Sequence, residues 1–478
     1  MTTPNIDDIA SLRNMSFSVG SIGVLQKMEK EYGLISGIFG NAPTRHKDFL
    51  GQANLLLYNR LNESVSVHQI LPTSPSDLFE ILGMTKAPNE KDLYREVAII
   101  GQLFPFFMDR YQEKIKGCGL VDPSQIIDFS SASLRGSMSD LASLGYSRDH
   151  RPDRKQVTFG IATGINTVPT ALTIQSGNTN DKKHMKKMLR IAPKITTERS
   201  LFMFDCGGNS PYVKDQIVGM NRNYLTLKAK KVGTYKKCIS EFNSMEKQRI
   251  EVGEKEYLCA KFASQRKGEF LYMFFSKDLY EDQLRKKRDK FERMKKKGDK
   301  LLKKAKKHKA AQMIPSNEGW IAMYPELQRT LDDIQNPYIN GLEGFFILES
   351  SIDADSEKIL NIYKKRDVAE KLIRSMKEGG NLGPIRHWST NAIIGTLFIC
   401  FLVSSLINLT LKLCKNPLVK NFWLLKKYLK SLTLTVVHTR NMGRISIISN
   451  ISPQILSIFE DFVRKYDERT MKMIGGLP

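Results

Sequence analysis

The chain of 478 residues carries 74 Lys and Arg against 50 Asp and Glu, a formal net charge of +24, with an isoelectric point near 9.6 and a mean hydropathy of −0.32. That length allows about three domains of roughly 150 residues with buried cores. The positive excess favours a polyanionic partner, nucleic acid ahead of an acidic membrane surface. Six scattered cysteines with no Cys-x-x-Cys pair argue against a disulfide framework or a structural zinc site. The seven histidines show no metal-ligand spacing, and the start of the chain has no signal-peptide pattern, so a cytoplasmic location is expected.

Residues 1–118 read as a helical N-terminal domain. Apolar residues recur at helical spacing in Val24-Leu25-Met28, Leu55-Leu56-Leu57-Leu61 and Leu93-Val97-Ile100-Leu103-Phe106, with Pro43, Pro72, Pro75 and Pro88 as breakers. Binding of a DNA end is one role such a domain can have. From Val121 the period shortens. Strands are expected at 126–130, 156–162 and 170–174, a helix over 181–189, a strand at 200–205, a helix over 211–218 and a strand at 224–228. Three strands, helix, strand, helix, strand is the order of a ribonuclease-H-like α/β core, placed at 119–231. In such a sheet the first and fourth strands are neighbours, which brings Asp128 beside Asp205.

An insertion domain follows over 232–345. Two runs, 257–262 and 270–275, read as a strand pair. Residues 285–309 then hold 15 Lys or Arg against three acids. Such a run is a solvated helix or a disordered arm, and it is long enough to follow a DNA backbone, with Arg285, Lys286, Lys287, Arg288, Lys295, Lys296 and Lys297 as contact candidates.

A strand at 345–349 and a helix over 356–378 resume the core, assigned to 346–415. On one continuous helix Tyr363, Arg366, Glu370 and Lys377 project, at about 100° per residue, into an arc of about 60° along about 21 Å. An aromatic hydroxyl, a guanidinium, a carboxylate and an ammonium on one strip suit a phosphodiester and a metal ion. Val368, Ala369, Leu372, Ile373 and Met376 form the adjoining apolar stripe. Trp388 to Leu411 carries no charge and reads as a buried helix rather than a membrane span, because Ser404, Ser405, Asn408 and Thr410 fall within it. Residues 416–478 are a basic C-terminal region (Lys420, Lys426, Lys427, Lys430).

The spacing Tyr-two-Arg-three-Glu-six-Lys resembles the signature of DDE transposases of the insertion-sequence-four superfamily. Further likeness lies in Asp128-Phe129-Ser130-Ser131, Gly145-Tyr146-Ser147-Arg148-Asp149, Gln156-Val157, Gly177-Asn178-Thr179-Asn180-Asp181 and Pro384-Ile385-Arg386-His387-Trp388. It resembles the branch of larger prokaryotic and archaeal elements and covers roughly 120–410. The resemblance implies cut-and-paste transposition: metal-dependent cleavage at the ends of an element and strand transfer into target DNA. It assigns Asp128, Asp205 and Glu370 as catalytic ligands of two Mg2+ (or Mn2+) ions, a pairing that phosphoryl transfer exploits. It assigns Tyr363, Arg366 and Lys377 to transposon-end phosphates.

Relatives have a strand-rich insertion between the second Asp and the Glu, as at 232–345, with an aromatic that stacks a flipped base; Trp320 is the tryptophan in that position. Also implied are double-stranded DNA as partner (terminal inverted repeats and target), a homodimer in a synaptic complex, no membrane, and a prokaryotic, nucleoid-associated cytoplasmic location. No Walker-type loop is present, so no ATP requirement is expected. The alternative is a domesticated or inactive transposase that binds DNA without catalysis. Two departures from the relatives' pattern stand out: Ser130 where many have Thr, and Glu343-Gly344 where Asp-Gly is common.

Overall fold

A computed structural model describes residues 15–136, 138–312, 318–414, 416–419, 421–439 and 443–475. The chain is a mixed α/β protein that divides into two compact units, one from 1–222 together with 365–478, the other from 223–364.

In the first unit a short strand, β1 (Met15–Ser18), precedes seven helices: α1 (Gly20–Tyr32), α2 (Leu34–Phe39), α3 (Phe49–Leu61), α4 (Val67–Ile70), α5 (Ser76–Ile81), α6 (Glu90–Gln102) and α7 (Phe104–Gly117). Strands β2 (Ser124–Ser133), β3 (Gln156–Gly164) and β4 (Pro169–Ser176) form an antiparallel meander. Helix α8 (Asp181–Ile191) then returns the chain to β5 (Leu201–Phe204), which lies parallel to β2, and α9 (Pro211–Gly219) follows. Asn180 and Ser210 cap these two helices, each accepting a backbone N–H three residues on.

The second unit begins with β6 (Asn223–Leu227), α10 (Val232–Ser244), β7 (Gln248–Val252), β8 (Lys255–Ala263) and β9 (Phe270–Phe275). Helices α11 (Lys277–Gln312) and α12 (Glu318–Asp333), strand β10 (Phe345–Ser350) and α13 (Ser356–Lys364) complete it. Strand β10 pairs antiparallel with both β6 and β9, and the ladder continues through β8 to β7. Tyr235, Phe242, Phe262, Met273 and Ile347 fill the core beneath it.

The chain re-enters the first unit through α14 (Asp367–Arg374), a π turn (Ser375–Gly379) and α15 (Thr390–Leu413). Helix α16 (Phe422–Ser431), strands β11 (Thr433–Thr439) and β12 (Gly443–Ser449), and α17 (Pro453–Gly475) follow. Helix α15 is the apolar segment read from the sequence. Its most apolar stretch is 89% buried, packed among α1, α3, α6 and β4, which leaves it little surface to offer lipid. Ser389 caps it by accepting from Ala392 N. It meets α6 backbone to backbone: a Cβ on Gly101 would fall 1.7 Å from Asn391 O, and one on Gly395 2.0 Å from Val97 O. Tyr111 on α7 donates to Pro169 O at 2.6 Å and meets Ser405 Oγ at 2.6 Å, joining α7, β4 and α15.

Three boundaries differ from those expected. Helices α1–α7 do not stand apart as a domain of residues 1–118; α6 and α7 cover α15 and β4, within the same compact unit. Strand β6 falls in the second compact unit, where it pairs with β10. The C-terminal region adds two strands, β11 pairing with β1 and β12 with β11, so both ends of the first unit share one small sheet. Lys420 lies outside the described residues.

Candidate active site

Two carboxylates lie on neighbouring strands of the first unit. Strands β2 and β5 run parallel with Ile127 opposite Phe204, so Asp128 and Asp205 occupy the next matching positions and face the same side. Both are partly buried. Burial, then the neighbouring Asp205 charge, pushes the Asp128 carboxyl up to about 6 from its ordinary 3.8; Arg366, the Phe129 N–H and Arg148 pull the other way. Phe129 N donates to Asp128 Oδ1 at 2.9 Å. Asp205 Oδ1 accepts from Gly207 N at 2.9 Å and Gly208 N at 3.3 Å, which folds the chain tightly after β5.

A third acid adjoins them. A Cβ on Gly207 would lie 2.5 Å from Asp181 Oδ2 and 3.1 Å from Asp205 Oδ1, so glycine keeps that space open. Asp181, at the start of α8, receives Arg148 Nη2 on both oxygens at 2.7 Å. Arg148 N in turn donates to Ser131 Oγ on β2 at 3.2 Å. Asp149 accepts from Ser133 N at 3.2 Å and from Lys377 Nζ at 2.6 Å. The loop 145–149 thus ties the strand bearing Asp128 to α8 and to the π turn. Sequence reasoning does not single out Arg148, Asp149 and Asp181 as site residues. Their signal lies in the clustered segments 145–149 and 177–181.

The signature residues are distributed differently from expectation. The single helix over 356–378 is three pieces: α13, a turn at 365–366, then α14 and the π turn. Val368 N and Ala369 N bond to Lys365 O and Arg366 O three residues back, a tight first turn rather than a continuing α ladder. Tyr363 closes α13 in the second unit, while Arg366, Glu370 and Lys377 follow in the first. Ala369, Leu372, Ile373 and Met376 are buried as the apolar stripe requires.

Glu370 does not complete a triad in this arrangement. Its Oε1 sits 2.5 Å from Arg366 Nη2, and it is Arg366 whose charge bears on Asp128. Among the described residues no group of three His, Cys, Asp or Glu side chains stands close enough to hold a metal ion. Asp128 and Asp205 nonetheless suit a divalent cation: hard oxygen donors on two rigid neighbouring strands, with the charge repulsion that a cation relieves.

The basic run forms α11, a helix of 36 residues about 54 Å long. It packs antiparallel against α12. Gly298 faces Leu331, Lys295 Nζ donates to Asp332 O, and Asn336 donates to Lys287 O. The cations on it sort by face. Lys287 bonds the buried Glu343 at 2.6 Å. Arg285 and Lys286 both reach Asp282 at 2.6 Å, and Lys295 points to α12. Of the predicted DNA contacts, Arg288, Lys296 and Lys297 are exposed and have no ion-pair partner among the described residues. The stronger strip is Arg293, Lys297, Lys300, Lys304 and Lys307, all exposed, within an arc of about 80° along about 21 Å. Trp320 falls in α12, with its side chain outside the described residues. Glu343, at the departure from the relatives' Asp-Gly, accepts from Asn340 N and Gly341 N besides Lys287, so its carboxylate closes a loop.

No protein-family model and no curated protein matches this sequence. Among solved structures, the chain resembles that of a piggyBac transposase synaptic complex with hairpin DNA, with a TM-score of 0.40 and 9% identity over 99% of this chain and 87% of that one.

Proposed function

We propose that the chain is a metal-dependent DNA-processing enzyme, a DDE transposase with a ribonuclease-H-like core that cleaves element ends and joins them to target DNA. The observation that carries this reading is the pair Asp128 and Asp205 at matched positions of parallel strands, flanked by Arg366 and Arg148. Asp128 and Asp205 would hold Mg2+ or Mn2+, which neutralises charge at a phosphodiester and its attacking oxygen. Arg366 suits bidentate capture of a phosphate, and Lys377 a point-charge contact. Tyr363 and the exposed cations of α11 would add backbone contacts, supplying affinity without sequence readout. Recruitment of Glu370 as a ligand requires its ion pair with Arg366 to open. A phosphate drawing Arg366 away offers the exchange. Assembly as a homodimer on paired DNA ends, in a prokaryotic cytoplasm, belongs to the same proposal.

A second reading is a DNA-binding protein without catalysis, favoured by the Glu370–Arg366 ion pair. Purified protein would be incubated with a duplex carrying the inverted repeats that flank its gene, a plasmid target, and Mg2+ or Mn2+. Metal-dependent end cleavage and joining, abolished in Glu370→Gln with end binding retained, is the expected result. Strand transfer surviving in that variant would refute the assignment of Glu370. Binding without cleavage by the wild type would shift the conclusion to the second reading.

A further inference from the structure

Within the first unit a cavity of about 340 Å3 opens between the end of α3, the following loop with α4, the α6 face and the segment 381–387. Its volume falls in the range of small-molecule sites, about 300–1,000 Å3. Two arginines, Arg60 and Arg386, line it, together with the rings of Tyr94, His68 and His387. Arg60 is fixed in place: Nη1 donates to Gly380 O and Asn381 O, both at 3.0 Å. Arg386 is exposed and has no ion-pair partner among the described residues. Glu63 is the one acid on the wall, and it is paired with Lys430 at 3.1 Å. Lys426 backs the same wall through Arg60 O and Ser64 Oγ. The cavity is therefore electropositive.

One side of it is aromatic. Tyr94 and His387 meet edge to face, with centroids 5.8 Å apart. Burial, then the Arg60 charge, brings the His387 imidazole down to about 4, so the ring is neutral at physiological pH and presents a flat, uncharged face. The next residue, Trp388, is 65% exposed, an unusual position for the largest apolar side chain. Its indole lies over Gly136, where a Cβ would come within 2.7 Å. Arg135, also exposed, is anchored beside it through its N–H to Ile385 O.

We infer that this cavity is a binding site for a nucleotide unit, the phosphate held by Arg386 and Arg60 and the base set against the Tyr94–His387 wall or against the exposed Trp388, the residue that follows His387. Charge supplies phosphate attraction, and an exposed indole supplies sequence-tolerant stacking. The inference rests on the DNA reading above for its source, an unpaired stretch of a DNA strand; a free mononucleotide has the same chemistry. The segment 133–135 runs on from β2, the strand of Asp128, and bonds to Ile385 on the cavity wall. Seven residues separate Asp128 from Arg135, about 23 Å of extended chain.

The test uses the full chain with Trp320→Phe and Trp423→Phe, leaving Trp388 as the fluorophore. Inorganic phosphate, dAMP, a 12-nucleotide single strand and a 12-base-pair duplex are titrated. The single strand and dAMP should quench Trp388, and the single strand should outcompete phosphate. Trp388→Ala and Arg386→Ala, both at exposed positions, should each weaken single-strand binding about tenfold, within the range for loss of one stacked base, followed by anisotropy of a labelled strand. Duplex affinity should change far less. If strand and duplex bind the wild type but both variants bind the single strand unchanged, the site is refuted while the DNA reading stands. Phosphate binding as tightly as dAMP refutes recognition of the base. Tight dAMP binding with a single strand excluded assigns the site to the free nucleotide. No binding of either DNA overturns the DNA reading itself.

Discussion

Replacing Asp128 by Asn tests whether the carboxylate pair is held against its own stability. The Asp128 carboxyl stands at about 6 in the folded protein against 3.8 ordinarily, a difference that costs about 3 kcal/mol when the group is ionised. The sign follows from proton binding. Between about pH 4 and pH 6 the folded state holds a proton that the unfolded state has lost, so stability falls as pH rises through that window. Above about pH 6 the full cost applies. The asparagine side chain of Asp128→Asn carries no charge and still accepts the Phe129 N–H, so the variant's advantage over wild type should be near zero at pH 4 and complete by about pH 7. For a unit of about 340 residues, unfolding entropy of roughly 0.7 kcal/mol per kelvin converts 3 kcal/mol to about 4 °C in Tm. Thermal melts at pH 4.5 to 8, with EDTA or with Mg2+, provide the assay. Mg2+ should raise the Tm of the wild type and leave Asp128→Asn unmoved. A variant less stable than wild type at pH 7, or a gap independent of pH, would show that burial does not hold the Asp128 carboxyl above its ordinary value.

The sorting of cations on α11 separates binding from folding. Charge reversal at Lys300, Lys304 and Lys307 should reduce the slope of log affinity against log salt by about 2.7, at 0.9 per phosphate contact, with melting unchanged; an unaltered slope would remove the strip as a DNA contact. Lys287→Ala should instead destabilise the second unit by about 3 kcal/mol, since Glu343 is left charged, buried and without its cation. Urea denaturation would show it, and a change only in DNA affinity would contradict that placement. Gly101→Ala should lower Tm measurably, by about 1–3 kcal/mol of overpacking against Asn391 O, whereas Gly117→Ala, at an open position, should leave stability within about 0.5 kcal/mol.

Much of this protein is legible in the chain because its signals are local. Period-two runs place β2, β3, β4, β5, β8, β9 and β10, and a charge-free stretch places α15. The parallel neighbourhood of β2 and β5 follows from element order, which sets Asp128 beside Asp205. The basic run declares its charge, though not which of its residues face outward. That depends on distant partners: Glu343, in the loop before β10, takes Lys287, and Asp332 on α12 takes Lys295. The signature helix is segmented for a related reason. Its four residues have helical spacing in sequence, but the chain changes unit at Lys364–Lys365 and the α ladder is interrupted there. Arg148 and Asp181 pair across 33 residues, a contact that depends on the β2–β3 loop returning to α8. The β1-β11-β12 sheet joins residues more than 400 positions apart. Periodicity and composition act over one or two turns of chain and determine which elements form; long-range packing, through burial and the partners it supplies, decides which charges are paired, which are exposed and which carboxylates stand together.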